Sequence, residues 1–259
     1  MKNTRKLIPA LAMLLLSAVL MSTASFAWFS MNATVTATGM QIEAKSDQTF
    51  LLISATKTTA AEIQADALLE VEIENQAKEA YTVYPTRVKP VEDGDDPITS
   101  ENITFQYAVG TDYDTGTAKG NYYDVDSNNI SDYVVEYVYY LTVADNAVPA
   151  SDIVVKALTI TNNSDTGAGV VNVAVATEYA YKNFTGTITQ EDTTVLSSGL
   201  HTDDEDDDND GLLTDADVLA VHVYVYINGD HEKVTTANAA LLGNTKVSIT
   251  FGIKGATQQ

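Results

Sequence analysis

The chain reads as an all-β protein: a jelly-roll-like antiparallel β-sandwich with long loop insertions and one or two short helices. Three observations predict this. Apolar and polar residues alternate at period two through several short runs. Turn chemistry separates those runs about every ten residues. A content of 45% apolar residues in 259 is ample for a packed core.

The first element is not part of the fold. Lys2, Arg5 and Lys6 form a positive region, residues 7–21 an apolar core broken only by Pro9 and Ser17, and Ser25 and Ala27 are small residues at the two positions a signal peptidase reads. This is the layout of a secretory signal peptide covering residues 1–27, with cleavage between Ala27 and Trp28. The apolar run is too short for a stable membrane anchor, so membrane contact is expected only during export. Residues 28–259 then form a single sandwich domain. Trp28, Phe29 and Ser30 follow the cut directly and lead into the β-prone run 34–38, with Val35 and Ala37 alternating with threonines. That run either docks as an ordinary first strand or is left free for another chain.

Further along, residues 60–76 are ambiguous: Leu69, Val71 and Ile73 alternate like a strand, whereas 60–68 suits a helix. Residues 133–143 are a strand rich in tyrosine and valine, and 154–161 is another, ending at Asn162 and Asn163. Val171, Val173 and Val175 mark a third. Val221, Val223, Val225 and Ile227 form one face of a fourth, with His222, Tyr224 and Tyr226 on its reverse, closed by the turn residues Asn228, Gly229 and Asp230. Residues 236–242 suit one or two helical turns ended by Gly243. Val247, Ile249, Phe251 and Ile253 give the last strand. Long polar insertions occupy 90–102, 111–132 and 197–217, and no internal repeat is present.

At this point the order of features resembles the TasA/camelysin family, exported Gram-positive proteins processed by a SipW-type signal peptidase. The joint from Ser25 to Asn32, the run from Ala33 to Ile42, and the block from Val221 to Asp230 continuing through Thr235 to Ala240 carry the resemblance. It covers residues 1–45 and 219–253. The resemblance implies a jelly-roll domain secreted to the cell surface or biofilm matrix. It also implies that the freed strand with Trp28, Phe29, Val35 and Ala37 fills a groove in the next subunit of a fibre, through self-assembly or with co-secreted matrix proteins. Strand donation of this kind satisfies an open sheet edge and, being head-to-tail, does not close.

The charge balance narrows the partners. The formal net charge is −22, and because the leader holds three of the 14 basic residues and none of the 36 acidic ones, cleavage deepens it to −25. Nucleic acid and anionic membrane surfaces would be repelled. There is no cysteine, so an exported form must rely on its core, metal or assembly.

The sharpest site signal is an acidic insertion at 203–217, where residues 206–217 read as a calcium loop. Asp206, Asp208 and Asp210 occupy positions 1, 3 and 5, Gly211 the sharp turn at 6, Leu212 a carbonyl at 7, Thr214 position 9 and Asp217 position 12. Calcium needs such spacing because six or more oxygens must converge on one hard ion. The segment after it reads as a strand rather than an exiting helix, so a solvated acidic loop is the alternative. Asp112, Asp114, Asp124, Asp126 and Asp132 form a second acidic group lacking the glycine. Glu92 to Asp96 reads as a turn. The three histidines, His201, His222 and His231, show no zinc-ligand spacing, and no nucleophile motif is present, so enzyme activity, including a camelysin-like protease, is not expected. Tyr137, Tyr139, Tyr224 and Tyr226 offer an aromatic face for glycan or another subunit, or are simply good strand formers. A monomeric adhesin binding glycan or calcium is thus the rival to the fibre reading.

Overall fold

The front sheet of the computed structural model is built around a pair that the alternation alone does not foretell. Strand β1 (Gln41–Ser46) runs parallel to the last strand, β14 (Thr245–Ile253), from Gln41 beside Lys246 to Ser46 beside Phe251. Antiparallel β3 (Glu70–Glu74) and β9 (Ile153–Asn162) flank this pair, in the order β3-β1-β14-β9. The middle sheet is β11-β10-β13-β7-β2, formed from Tyr181–Phe184, Val171–Ala176, Leu219–Ile227, Val134–Val143 and Leu51–Ser54, all antiparallel. A third, smaller sheet is β4-β5-β6, from Arg87–Val88, Phe105–Val109 and Asn121–Asp124. Two short strands, β8 (Ala150–Ser151) and β12 (Leu212–Leu213), pair by themselves. The structure describes residues 41–46, 50–74, 84–92, 96–109, 121–162, 170–201, 211–231 and 245–255. By its contacts the chain divides into residues 1–36 and 37–259, and all described residues belong to the second unit.

The architecture is an all-β sandwich. The front sheet contributes Ala44, Val155, Leu158, Val247, Ile249 and Phe251 to the main core. Opposite them the middle sheet contributes Ile53, Tyr139, Leu141, Val173, Val223 and Val225. Along β7, β13 and β14 these residues sit at alternate positions because successive strand side chains point to opposite faces, while a bulge at Lys156 of β9 brings Val155 and Leu158, three positions apart, to the same core. The expected strands at 133–143, 154–161, 171–175, 221–227 and 247–253 are all present. The ambiguous stretch divides: Ala60–Asp66 is a helix, ended by Ala67 in a left-handed conformation (φ 49°), and the glutamate–valine–glutamate–isoleucine alternation after it is β3. Thr59 precedes the helix as expected of a capping residue, yet its hydroxyl donates to the Glu62 carboxylate rather than capping an amide. The run 34–38 and the helical reading of 236–242 lie outside the described residues.

One layer goes beyond the sequence expectation. Residues at every position of β10, and at five consecutive positions of β13 from Val223, are buried, which a two-layer sandwich with a wet outer face does not produce. The small sheet covers the reverse of the middle sheet. Phe105 inserts between Tyr224 and Tyr226, with ring centroids 5.6 Å from each, and Val134, Ala174 and Ala176 complete this second core. Tyr137 and Tyr139 face the main core instead. All four tyrosines expected on an exposed aromatic face are therefore packing residues. Burial raises the hydroxyl pKa of Tyr139 and Tyr224, and pushes that of Tyr226 up to about 12.

Backbone bonds fasten the small sheet. Thr86 N–H donates to Ile227 O at 2.9 Å and Gly229 N–H to Thr86 O at 2.7 Å. A Cβ on Gly229 would stand 3.2 Å from Thr86 N, so the turn Asn228-Gly229-Asp230 uses glycine for close approach.

Candidate functional site

Of the acidic insertion, the described residues are 211–217. Gly211 has φ +73°, the left-handed geometry that position 6 of a calcium loop requires and that glycine adopts without strain. Its N–H donates to Leu200 O at 2.7 Å, which fixes Gly211 beside the turn that ends at Leu200. Leu212 opens the β12 pairing with Ser151, and Leu213 is buried in the main core. Asp206, Asp208 and Asp210 lie outside the described residues.

Thr214 and Asp217 are brought together, but with each other. One carboxylate oxygen of Asp217, Oδ2, accepts from the Thr214 N–H at 2.8 Å and from the Thr214 hydroxyl, and stands 3.0 Å from His201 Nε2. Burial alone would raise the Asp217 pKa; the Thr214 donors and His201 outweigh it, and the net position is below the ordinary carboxylate value. Its backbone O accepts from the Thr142 hydroxyl at 2.6 Å, pinning the loop to β7. Asp215 is also committed: its carboxylate accepts from Asn146 N–H and its backbone O from Gln64. Thus Gly211 fits the calcium geometry, whereas Asp217 would reach an ion only through Oδ1 or after releasing Thr214 and His201. Among the described residues no three or more histidine and acidic side chains converge as a metal site would require.

The second acidic group separates. Asp124 accepts from Gln106 and Lys89 on the outer face of the small sheet. Asp126 caps the short 3₁₀ helix Ser127–Asp132 by accepting from the Asn128 N–H at 2.8 Å. Both carboxyls are held below their usual pKa by those bonds. Asp112 and Asp114 lie outside the described residues, as do Ala27, Trp28, Phe29, Val35 and Ala37. His222 is paired with Glu136 at 2.7 Å and stacked on Tyr224, so it joins two strands. His231 N–H closes the turn after β13 onto Asn228 O.

The outer face of the small sheet is a polar lattice. Arg87 donates to Gln106, lies 3.3 Å over the ring of Tyr122 and approaches Asp230 at 3.7 Å, while the Tyr122 hydroxyl donates to Asp230. Sequence reasoning missed a second feature of this sheet. Tyr84, Tyr133, Tyr107 and Tyr123 form a row of neighbouring rings, at centroid steps of 5.6, 5.4 and 6.0 Å. A fragment of signal existed, since Phe105 and Tyr107 alternate with Gln106 as strand residues do. The pairing of Tyr107 with Tyr123 across sixteen positions was not readable without the fold.

No protein-family model, curated protein or solved structure matches the chain.

Proposed function

We propose that this is an exported, non-enzymatic structural protein of the cell surface or extracellular matrix, which assembles by donating the strand that follows its signal peptide. The leader and the β-prone run behind it supply the export and the donor segment, in line with the resemblance to TasA/camelysin proteins. The observation that carries the reading is how the front sheet guards its edges. The outer edge of β9 is sealed by the strap 187–196: Leu158 and Ile188 exchange both N–H···O bonds, Asp192 N–H donates to Val155 O, and Leu196 N–H donates to Ile153 O. The other edge strand, β3, has glutamate at positions 70, 72 and 74. Sealed and charged edges resist random sheet-to-sheet pairing. A protein meant to join its copies in one defined way needs that resistance, so that pairing is left to a dedicated segment.

Calcium would act as a stiffener of the insertion 203–217 through Asp206, Asp208, Asp210, the Leu212 carbonyl, Thr214 and Asp217. The positive φ of Gly211 supports this part.

The test is negative-stain electron microscopy of residues 28–259 and of a variant lacking 28–38, each with and without millimolar calcium. Filaments from the first and folded single particles from the second are expected. Filaments unaffected by the deletion, or single particles throughout, would overturn the assembly reading. Calorimetry with Asp206→Ala/Asp210→Ala should show loss of calcium heat, and a wild-type chain without heat removes calcium from the account.

A further inference from the structure

The small sheet reaches further than the second core it covers. Phe105 and Tyr107 lie two positions apart on β5 and share a face. Phe105 is fully buried against Tyr224 and Tyr226, whereas Tyr107 carries the same face outward to meet Tyr123 directly across the strand pair and Tyr133 beside it. Tyr84 extends the row, held there by its N–H donating to Asp132 O at 2.8 Å. The two ends of the row are open to solvent, Tyr84 at 57% exposure and Tyr123 at 48%. Tyr107 and Tyr133 between them are half-buried, which fixes the spacing of the row.

Three features define what suits this ledge. Its members are all tyrosine, with no aliphatic side chain in the row; Tyr107 and Tyr133 stack on each other, and the open rings at the two ends, Tyr84 and Tyr123, each offer an apolar surface together with a hydroxyl. Sugar rings need that combination, since a pyranose presents a patch of C–H bonds beside its hydroxyls. Two rings of the row, Tyr133 and Tyr107, separate the open end rings from each other, so a ligand that touches both Tyr84 and Tyr123 must be a chain of several sugars rather than one. The surroundings are acidic: Asp126 and Asp132 stand on the short segment between Tyr123 and Tyr133, in a chain with net charge −22. Bases would also stack on such rings, but a polyanion is repelled. The geometry points to a binding platform for an uncharged polysaccharide on Tyr84, Tyr133, Tyr107 and Tyr123. This assignment does not depend on whether the chain forms fibres.

The experiment titrates residues 28–259 with cellohexaose and with the hexamer of N-acetylglucosamine, followed by calorimetry and by the tyrosine ring resonances in NMR, with heparin as the polyanionic control. Saturable binding of one of the two hexasaccharides is expected, with shifts at the rings of Tyr84, Tyr107, Tyr123 and Tyr133 and no binding of heparin. Tyr84→Ala and Tyr123→Ala each remove one exposed stacking ring and should weaken binding about tenfold, the size of roughly one good aromatic contact. Their melting temperatures report whether they remain folded, and the wild-type ring shifts decide the matter if they do not. No saturable binding of either sugar, shifts confined to other tyrosines, or unchanged affinity in both variants would overturn the proposal. So would a dimer that these substitutions dissociate in the absence of any sugar signal, which would assign the ledge to a second copy.

Discussion

Phe105→Ala is the most direct test of the three-layer arrangement. The Phe105 side chain is fully buried and fills the space between Tyr224 and Tyr226, so its removal empties the centre of the second core. A phenylalanine burying about 200 Å² at about 25 cal/mol per Å² gives a ceiling of about 5 kcal/mol. Phenylalanine-to-alanine changes in well-packed cores cost about 3–5 kcal/mol. The lower half of that range is expected here, because the small sheet has only three strands and can settle into the gap. A loss of about 3–4 kcal/mol corresponds to a melting temperature lowered by roughly 10 °C for a chain of this size. Urea unfolding followed by far-UV circular dichroism and tyrosine fluorescence measures it. Phe105→Leu, which keeps most of the volume, should cost about 1 kcal/mol. A cost below about 1 kcal/mol for the alanine variant would show that the small sheet does not dock on β10 and β13. The burial of Tyr224 and Tyr226 would then need another cause.

Other expectations follow from single contacts. Thr177→Val keeps the shape of a fully buried side chain but removes a hydroxyl that donates to Leu196 O at 2.7 Å and accepts from Tyr179 and Ala180 N–H. A loss of about 2 kcal/mol in urea unfolding is expected, and a neutral outcome would contradict the bonding. Gly211→Ala meets no atom closer than 3.9 Å, so its cost is the left-handed backbone alone, about 1 kcal/mol by thermal unfolding. A stabilised variant would refute the positive φ. Asp217 has a folded pKa below its unfolded value, so it contributes stability above about pH 4 that is lost as pH falls through the folded pKa. Asp217→Asn should therefore be the less stable chain at neutral pH, with the two stability curves converging in acid; parallel curves would show that Thr214 and His201 do not hold the carboxylate.

Part of the acidic insertion was legible. The position of Gly211 and its special conformation followed from spacing alone, because a tight turn restricts residue type locally. The bonding of Asp217 did not, since Thr214 lies close in sequence but His201 arrives from the far side of the insertion. The aromatic reading went the other way: tyrosines on β7 and β13 looked available and are packed, while the exposed row was assembled from four separate segments.

Alternation and turn residues by themselves marked the strands at 133–143, 154–161, 171–175, 221–227 and 247–253, the turn at Asn228, Gly229 and Asp230, and the sandwich class, whereas β2, β5 and β11 carried no such mark and β6 lies inside the stretch 111–132 that reads as a polar insertion. Each marked feature depends on neighbours within a few positions: side chains point to opposite faces at period two, and turns select residues for their own φ and ψ. Only the tertiary structure decided that β1 lies parallel to β14, that a third sheet covers the reverse of β10 and β13, and that Tyr84, Tyr107, Tyr123 and Tyr133 meet. Period two marks two faces of a strand but says nothing about what will cover either one. That is settled by segments far apart in the chain, through the apolar area each can bury.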